Sequence, residues 1–335
     1  MDSYFFYISA ILIGFALLIW SSDRFVDGAA DLATYYGVSP MIVGMIIIGF
    51  GTSAPEMLVS AVAALKGSPG IGIGNALGSN ITNISLVLGI TAILYVIPVN
   101  SRIVNRELPL LLACSTIAIV TLAFGVFGII DGIILFLSLV IVLSWMVKTA
   151  KTEKQPEALL SNIADHFPKQ AHKKTALFWT FTGLLLLLIS SNLLVWGASH
   201  IAQSLGVSDL VIGLTIVAIG TSLPEVSATL VSAKRGETDL AIGNIIGSNF
   251  FNTLGVLAIP ALFAPQVPNP SAIYRDMPIV IMLTLVLLAF AHSFHHKKTI
   301  NRWKGFVLLS IFIGYQFLLF YHSANNINCT TFLCL

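Results

Sequence analysis

Long apolar runs recur from one end of the chain to the other, separated by short clusters of polar, Gly and Pro residues. Read as helices, they predict ten spans near residues 4–22, 38–65, 71–97, 107–125, 127–147, 175–203, 207–233, 240–264, 276–292 and 304–322. The runs do not alternate apolar and polar, which favours helical spans over the strands of a membrane β-barrel. The one long hydrophilic connection, 148–174, divides the pattern into two sets of five spans. This predicts an N-terminal five-helix unit over 1–147, a linker over 148–174, a C-terminal five-helix unit over 175–322 and a polar tail over 323–335. No Lys or Arg precedes the first apolar run, so that segment is expected to stay in place as a first span.

Composition agrees with this pattern. Of 335 residues, 56% are hydrophobic and 10% charged, where a soluble domain carries about 25% charged residues. The expected fold class is an all-α polytopic membrane protein. Lys and Arg set its orientation. An even number of spans puts both termini on one side, with only Lys66 and Arg275 in the connections there. The other side receives the remaining fifteen basic residues, from Arg24 to Lys304. Under the positive-inside rule the rich side is cytoplasmic, so both termini face outward from a cell inner (plasma) membrane. A net charge of +2 gives no reason to expect nucleic acid. Cys114 reads as apolar filler, while Cys329 and Cys334 could pair if their tail meets an oxidising space.

Polar residues inside the apolar runs carry the candidate chemistry. Gly51-Thr-Ser-Ala-Pro-Glu56 interrupts the second span, and Gly220-Thr-Ser-Leu-Pro-Glu225 interrupts the seventh. They lie 169 positions apart. The same shift superposes Gly74-Asn75 on Gly243-Asn244, Gly78-Ser79-Asn80 on Gly247-Ser248-Asn249, and Asn83 on Asn252. Between Gly51 and Ile90, 18 of 40 positions are identical under the shift. Apolar bias alone does not keep Pro, Glu, Asn and Gly in register, so the chain is an internal duplication. Each copy has an odd number of spans and so enters the membrane from the opposite side. Inverted repeats of this kind are typical of secondary transporters, with sites at the repeat interface.

A carboxylate well inside a span costs several kcal/mol or more unless a cation, a proton or water meets it. Neither motif has a Lys, Arg or His near its glutamate, so a mobile cation is the natural partner of Glu56 and Glu225. Pro55 and Pro224 have no N–H, which frees the carbonyls of Gly51 and Gly220. Thr52, Ser53, Thr221 and Ser222 add oxygens. So do Ser79 with Asn83 and Ser248 with Asn252, spaced i, i+4 on one helix face. An all-oxygen set with two carboxylates suits Ca²⁺, smaller hydroxyl and carbonyl clusters suit Na⁺, and the lack of Cys and His disfavours soft metals. Asn75, Asn80, Asn244 and Asn249 read as interhelical hydrogen-bonders, Gly14, Gly44 and Gly213 as packing glycines. Asp23, Arg24, Asp27 and Asp31 read as a solvated helix end.

The doubled pattern GTS-x-PE followed by GN-x-x-GSN-x-x-N resembles the α-repeats of the cation/Ca²⁺ exchanger superfamily, and most of all its short bacterial inner-membrane members. The resemblance implies exchange of Ca²⁺ for Na⁺ by alternating access. It implies a Ca²⁺ site framed by Glu56, Glu225 and the carbonyls of Thr52 and Thr221. It also implies Na⁺ sites that use Ser53, Ser79, Ser222, Ser248, both glutamates and the carbonyls of Gly49 and Ala218, supported by Asn83 and Asn252. Spans 1 and 6 would slide across the rest. Where potassium-dependent members carry Asp, this chain has Asn252, which weakens the case for K⁺. Proton coupling stays open as an alternative. No cofactor and no obligate protein partner is expected beyond the ions and the bilayer. An intramembrane serine enzyme is disfavoured because Ser53 and Ser222 have no neighbouring base. A channel would conduct without a counter-ion.

Overall fold

The structure, a computed structural model, describes residues 2–152, 173–205, 218–292 and 298–332. Twelve helices are labelled here in chain order. They are α1 Asp2–Tyr36, α2 Pro40–Thr52, α3 Ala54–Leu65, α4 Pro69–Leu94, α5 Ile103–Ala123, α6 Ile129–Thr152, α7 Lys173–Ser204, α8 Ala218–Thr221, α9 Leu223–Lys234, α10 Thr238–Phe263, α11 Ala272–Ala291 and α12 Arg302–Phe332. Among the described residues, seven helices are long and apolar enough to cross a membrane, or eight if the bent pair α2–α3 counts as one span. The protein is a multi-pass membrane protein.

Proline and glycine punctuate the chain where the backbone requires it. Pro40 and Pro69 open α2 and α4, where a missing N–H does no harm. Gly67 and Gly236, equivalent under the 169 shift, take φ values of 77° and 80° in the turns after α3 and α9. A side chain would strain that left-handed backbone. The duplication extends to whole elements. α3 and α9 begin and end at shifted positions, and a π-turn at Ile103–Glu107 in α5 recurs at Ala272–Asp276 in α11.

The helices α4 and α10 form the centre. Buried residues make up 72% and 89% of their apolar stretches, against 28% for α1 and 22% for α7. α1 and α7 therefore lie at the periphery and pack on each other. Gly14 abuts the backbone of Leu194 and Gly28 that of Thr180, while Gly183 abuts Phe25 and Gly197 abuts Tyr7. Rising numbers on one helix meet falling numbers on the other, so these repeat-equivalent helices run antiparallel. α10 meets α2 even more closely. A Cβ on Gly247 would sit 2.1 Å from the Met45 carbonyl oxygen, and one on Gly243 would sit 2.5 Å from that of Met41. Gly247→Ala is expected to lower stability by about 1–3 kcal/mol or more, read as a lower melting temperature in detergent. Two antiparallel contacts also tie the halves together: Ile97–Pro98 (β1) pairs with Thr299–Ile300 (β2), and Phe127 bridges Gln266.

Several expectations are corrected. The first helix does not end near residue 22 but continues to Tyr36. Asp23 and Asp27 keep partly solvated side chains but do not end a helix. Both are ion-paired with Arg235 in the turn after α9, the Asp23 contact at 2.5 Å. That partner lies 212 positions away in sequence. The tail after 322 is not separate from the last span, since α12 continues through it to Phe332. Gly14 and Gly44 pack against backbone, as expected. Gly213, the possible Cys329–Cys334 pairing and most of the 148–174 linker lie outside the described residues or side chains.

Beside Arg235, burial pushes the Glu237 carboxyl up to about 7. Arg235 opposes that rise, and Asp27, Asp31 and Asp23 reinforce it. A carboxyl whose folded pKa is raised favours the folded state most below its unfolded value of 4.5. That contribution is lost as pH rises towards and through about 7. Glu237→Gln should therefore flatten the fall in thermal stability between roughly pH 5 and pH 8. An unchanged slope would count against this.

Candidate ion site at the two helix breaks

Two interruptions build the site. Ser53 separates α2 from α3 with φ −82° and ψ 3°, and Ser222 separates α8 from α9 with φ −89° and ψ 3°. In each case the proline stands at the second position of the new helix and the glutamate at the third. The α2–α3 pair bends by 40° at its break. Proline starts each second helix readily but gives no N–H back to the first, so the break is local and written in the sequence. Glu56 and Glu225 thereby emerge in the first turn of α3 and α9, where the positive helix end also favours their charge.

Thr52, Ser53, Glu56, Ser222 and Glu225 are fully buried, and Thr221 partly so. The two glutamates lie within electrostatic reach of each other. Glu56 is met from both halves of the chain, and Glu225 by hydroxyls of the first half. Ser79 donates to Glu56 Oε1 at 3.5 Å, and Thr221 also bonds this carboxylate. Ser53 donates to Glu225 Oε1 at 3.4 Å, and the Thr52 hydroxyl lies close enough to influence the same carboxylate. The remaining oxygens, Glu56 Oε2 and Glu225 Oε2, are buried with no hydrogen-bond partner. Neither glutamate has an ion pair among the described residues.

The flanking helices supply the rest. Thr52 Oγ1 lies 3.1 Å from the Ile48 carbonyl, 3.1 Å from Asn244 Oδ1 and 3.3 Å from Ser248 Oγ. The Gly49 carbonyl accepts from the Ser53 N–H at 3.1 Å and from Ser248 Oγ at 3.5 Å. Asn83 and Asn252 are buried with both amide atoms unpaired, and Ser222 Oγ is likewise unpaired. Of Ala218, only the backbone at the start of α8 is described. The structure thus gathers Thr52, Ser53, Ser79, Thr221, Gly49 and Ser248 with the two glutamates. It leaves Ser222, Asn83 and Asn252 unbonded.

A matched pair of brackets holds the glutamate backbones. Asn75 Nδ2 donates to the Glu56 carbonyl at 3.0 Å and lies 3.3 Å from Ser60 Oγ. Asn244 Nδ2 donates to the Glu225 carbonyl at 3.4 Å and to Thr229 Oγ1 at 2.9 Å. Both asparagines act as expected, but their partners Ser60 and Thr229 escaped the sequence reading. They are equivalent under the same shift, which could have found them. Asn80 also bonds across the halves, to Thr253 Oγ1 at 2.8 Å. Asn249 does not: its amide is buried and unpaired. The residue equivalent to Thr253 is Ile84, which offers no hydroxyl.

The donors fit a hard cation. They are two carboxylates, hydroxyls, amide oxygens and carbonyls, with no thiol or imidazole among the bonds described. Unpaired buried carboxylate oxygens are costly unless something positive meets them.

Comparison with known proteins decides the family. A family model described as sodium/calcium exchanger protein matches residues 6–148 and 175–321, the two halves of this chain. The chain belongs to the sodium/calcium exchanger protein family. Among relatives of this family member, the putative antiporter CaxA of Alkalimonas amylolytica is 46% identical, covering 92% of this chain and 97% of that protein. Inner membrane protein YrbG of Escherichia coli strain K12 is 36% identical over 82% of this chain and 86% of its own length. A solved structure of the sodium-calcium exchanger NCX_Mj, soaked with Na⁺ and Sr²⁺, superposes with a TM-score of 0.80. It is 35% identical, and the match covers 92% of this chain and 97% of that one. Of these relatives, CaxA is named a putative antiporter and NCX_Mj a sodium-calcium exchanger.

Proposed function

We propose that the protein is a secondary antiporter that exchanges Ca²⁺ for Na⁺ by alternating access, with Glu56 and Glu225 as the charged ligands of Ca²⁺. One observation carries this reading most directly. Two buried carboxylates, one from each half, lie within electrostatic reach of each other, and each keeps one oxygen unpaired. Thr52 and Thr221 would add carbonyl ligands. Ser53, Ser79, Ser222 and Ser248, with the carbonyls of Gly49 and Ala218, would serve Na⁺, and Asn83 and Asn252 would line the site. The names of the relatives agree: NCX_Mj is called a sodium-calcium exchanger and CaxA a putative antiporter.

The proposed architecture is ten spans in two inverted five-helix units, 1–147 and 175–322, joined by a cytoplasmic linker. It adds α8–α9, with the residues just before them, and α12 to the eight spans above. The antiparallel packing of α1 on α7 supports the inversion. The distribution of Lys and Arg supports a cell inner membrane with both termini outside.

The second reading, proton coupling, draws on the same two carboxylates, because a buried carboxyl can carry H⁺ as well as meet a cation. Radiolabelled Ca²⁺ uptake into proteoliposomes separates the two. An outward Na⁺ gradient at equal pH should drive uptake, and a pH gradient without Na⁺ should not. Uptake driven only by the pH gradient would replace Na⁺ with H⁺.

A further inference from the structure

The two halves differ at one buried hydrogen bond beside the site. Ser191 in α7 donates from Oγ to the carbonyl of Gly220 at 2.8 Å, fully within the protein. That carbonyl lacks its helical donor because residue 224 is proline. Gly220 directly precedes Thr221, so the bond ties α7 to the break that presents Glu225. The equivalent residue in α1 is Ser22, and the equivalent carbonyl is that of Gly51, which loses its i+4 donor to Pro55 and here accepts a backbone N–H where α2 ends. Yet Ser22 is fully buried and its Oγ has no partner.

Within the α1–α7 pair itself the neighbouring contacts are alike. The preceding serines behave alike, Ser21 bonding the Leu18 carbonyl at 3.2 Å and Ser190 the Leu187 carbonyl at 2.9 Å. The glycine contacts between α1 and α7 also recur in both halves, since Gly14 and Gly183 are equivalent, as are Gly28 and Gly197. The α1–α7 pair is therefore close to symmetric in itself but bonded to only one of the two breaks. Ser53 repeats the asymmetry in the site: it donates to Glu225, while Ser222 donates to nothing. A buried hydroxyl left unpaired is unfavourable, so a state that pairs Ser22 would recover what the loss of the Ser191 bond removes. In an inverted-repeat carrier one repeat rocks or gates against the other around a fixed site, and the two repeats here carry equivalent serines and carbonyls.

We infer that Ser191 and Ser22 are alternating positioning residues of the transport cycle. Ser191 holds the Gly220 carbonyl in the state seen here, and Ser22 holds the Gly51 carbonyl in the opposite-facing state. The inference rests on the antiporter reading. It adds that the peripheral pair α1–α7 engages the two helix breaks in turn, through the carbonyls whose i+4 donors the prolines remove.

Two measurements on the full chain test it. In oriented proteoliposomes, the ratio of half-saturating Ca²⁺ at the two faces should shift about five-fold in one direction in Ser191→Ala, the loss of one hydrogen bond. In Ser22→Ala it should shift about five-fold the other way, and Ser191→Thr, which keeps the hydroxyl, should stay near wild type. A static structural role makes a different prediction, because Ser22 bonds nothing in this state and Ser22→Ala would then be silent. The second measurement needs no transport. In detergent, amide hydrogen exchange should rise around 218–223 and fall around 49–54 in Ser191→Ala, with the reverse in Ser22→Ala. A silent Ser22→Ala, or shifts of the same sign in both variants, would overturn the inference. Wild-type vesicles without Ca²⁺ flux would overturn the antiporter reading, and the exchange measurement would still decide the serine exchange.

Discussion

Glu56→Gln and Glu225→Gln are each expected to lower Na⁺-driven Ca²⁺ uptake about 100-fold or more, while the protein still folds. Glutamine keeps the shape and one carbonyl oxygen of the side chain but removes its charge. A divalent cation in a buried site then meets one negative charge instead of two. Truncating one member of a buried, desolvated charge pair costs about 2–5 kcal/mol, and about 1.4 kcal/mol is already tenfold in affinity. Folding should tolerate the change because neither glutamate is tied into an ion pair among the described residues. Relieving the repulsion between the two carboxylates should even favour the fold. The two variants should be nearly equivalent, since each carboxylate is fully buried, accepts from a serine hydroxyl and keeps one oxygen unpaired. Melting temperatures at or above wild type, combined with lost uptake, would separate a binding defect from a folding one.

The second large effect is on voltage. Ca²⁺ with two carboxylates is neutral, whereas three Na⁺ with the same two carboxylates would carry one positive charge. With Asn252 and Asn83 as the nearby amides, the site contributes no third carboxylate to cancel it. A three-for-one exchange therefore moves one net charge per cycle. Moving one charge across the membrane is worth about 2.3 kcal/mol per 100 mV, so the Ca²⁺ accumulation ratio at equilibrium should change roughly fifty-fold per 100 mV. Potentials clamped with K⁺ and valinomycin in Ca²⁺-loaded proteoliposomes read this directly. Equal ratios at opposite polarities would mean an electroneutral two-for-one exchange instead.

What the sequence made legible follows from how far each cause reaches along the chain. The breaks at Ser53 and Ser222 were legible because proline acts on its own turn and the one before it. The match of the halves was legible because 169 is a constant offset, and the structure carries it further, to Ile103–Glu107 against Ala272–Asp276. The true length of α1 was not. Asp23, Arg24, Asp27 and Asp31 end the apolar run, but Phe25, Val26, Ala29 and Ala33 are buried between and beyond them, and Arg235, far away in sequence, pairs with Asp23 and Asp27. The pairing of Ser79 with Glu56 and of Ser53 with Glu225 was implied only as membership of one site. Which hydroxyl meets which carboxylate depends on how α4 and α10 lie against the breaks. Ser191 was invisible for another reason: it sits in a leucine-rich helix outside the motifs, and its partner is a backbone carbonyl that leaves no side-chain signature. Asn249 marks the limit of the symmetry argument, since one substitution, Ile84 against Thr253, leaves its amide unpaired.

The central claim is that one carboxylate from each half holds the same Ca²⁺. Equilibrium binding of radiolabelled Ca²⁺ to the purified protein in Na⁺-free detergent solution tests this most directly, because it needs neither a gradient nor a coupling ion. The account predicts Ca²⁺ binding in the wild type that is lost, to the same extent, in Glu56→Gln alone and in Glu225→Gln alone. Wild-type affinity in either single variant would contradict it.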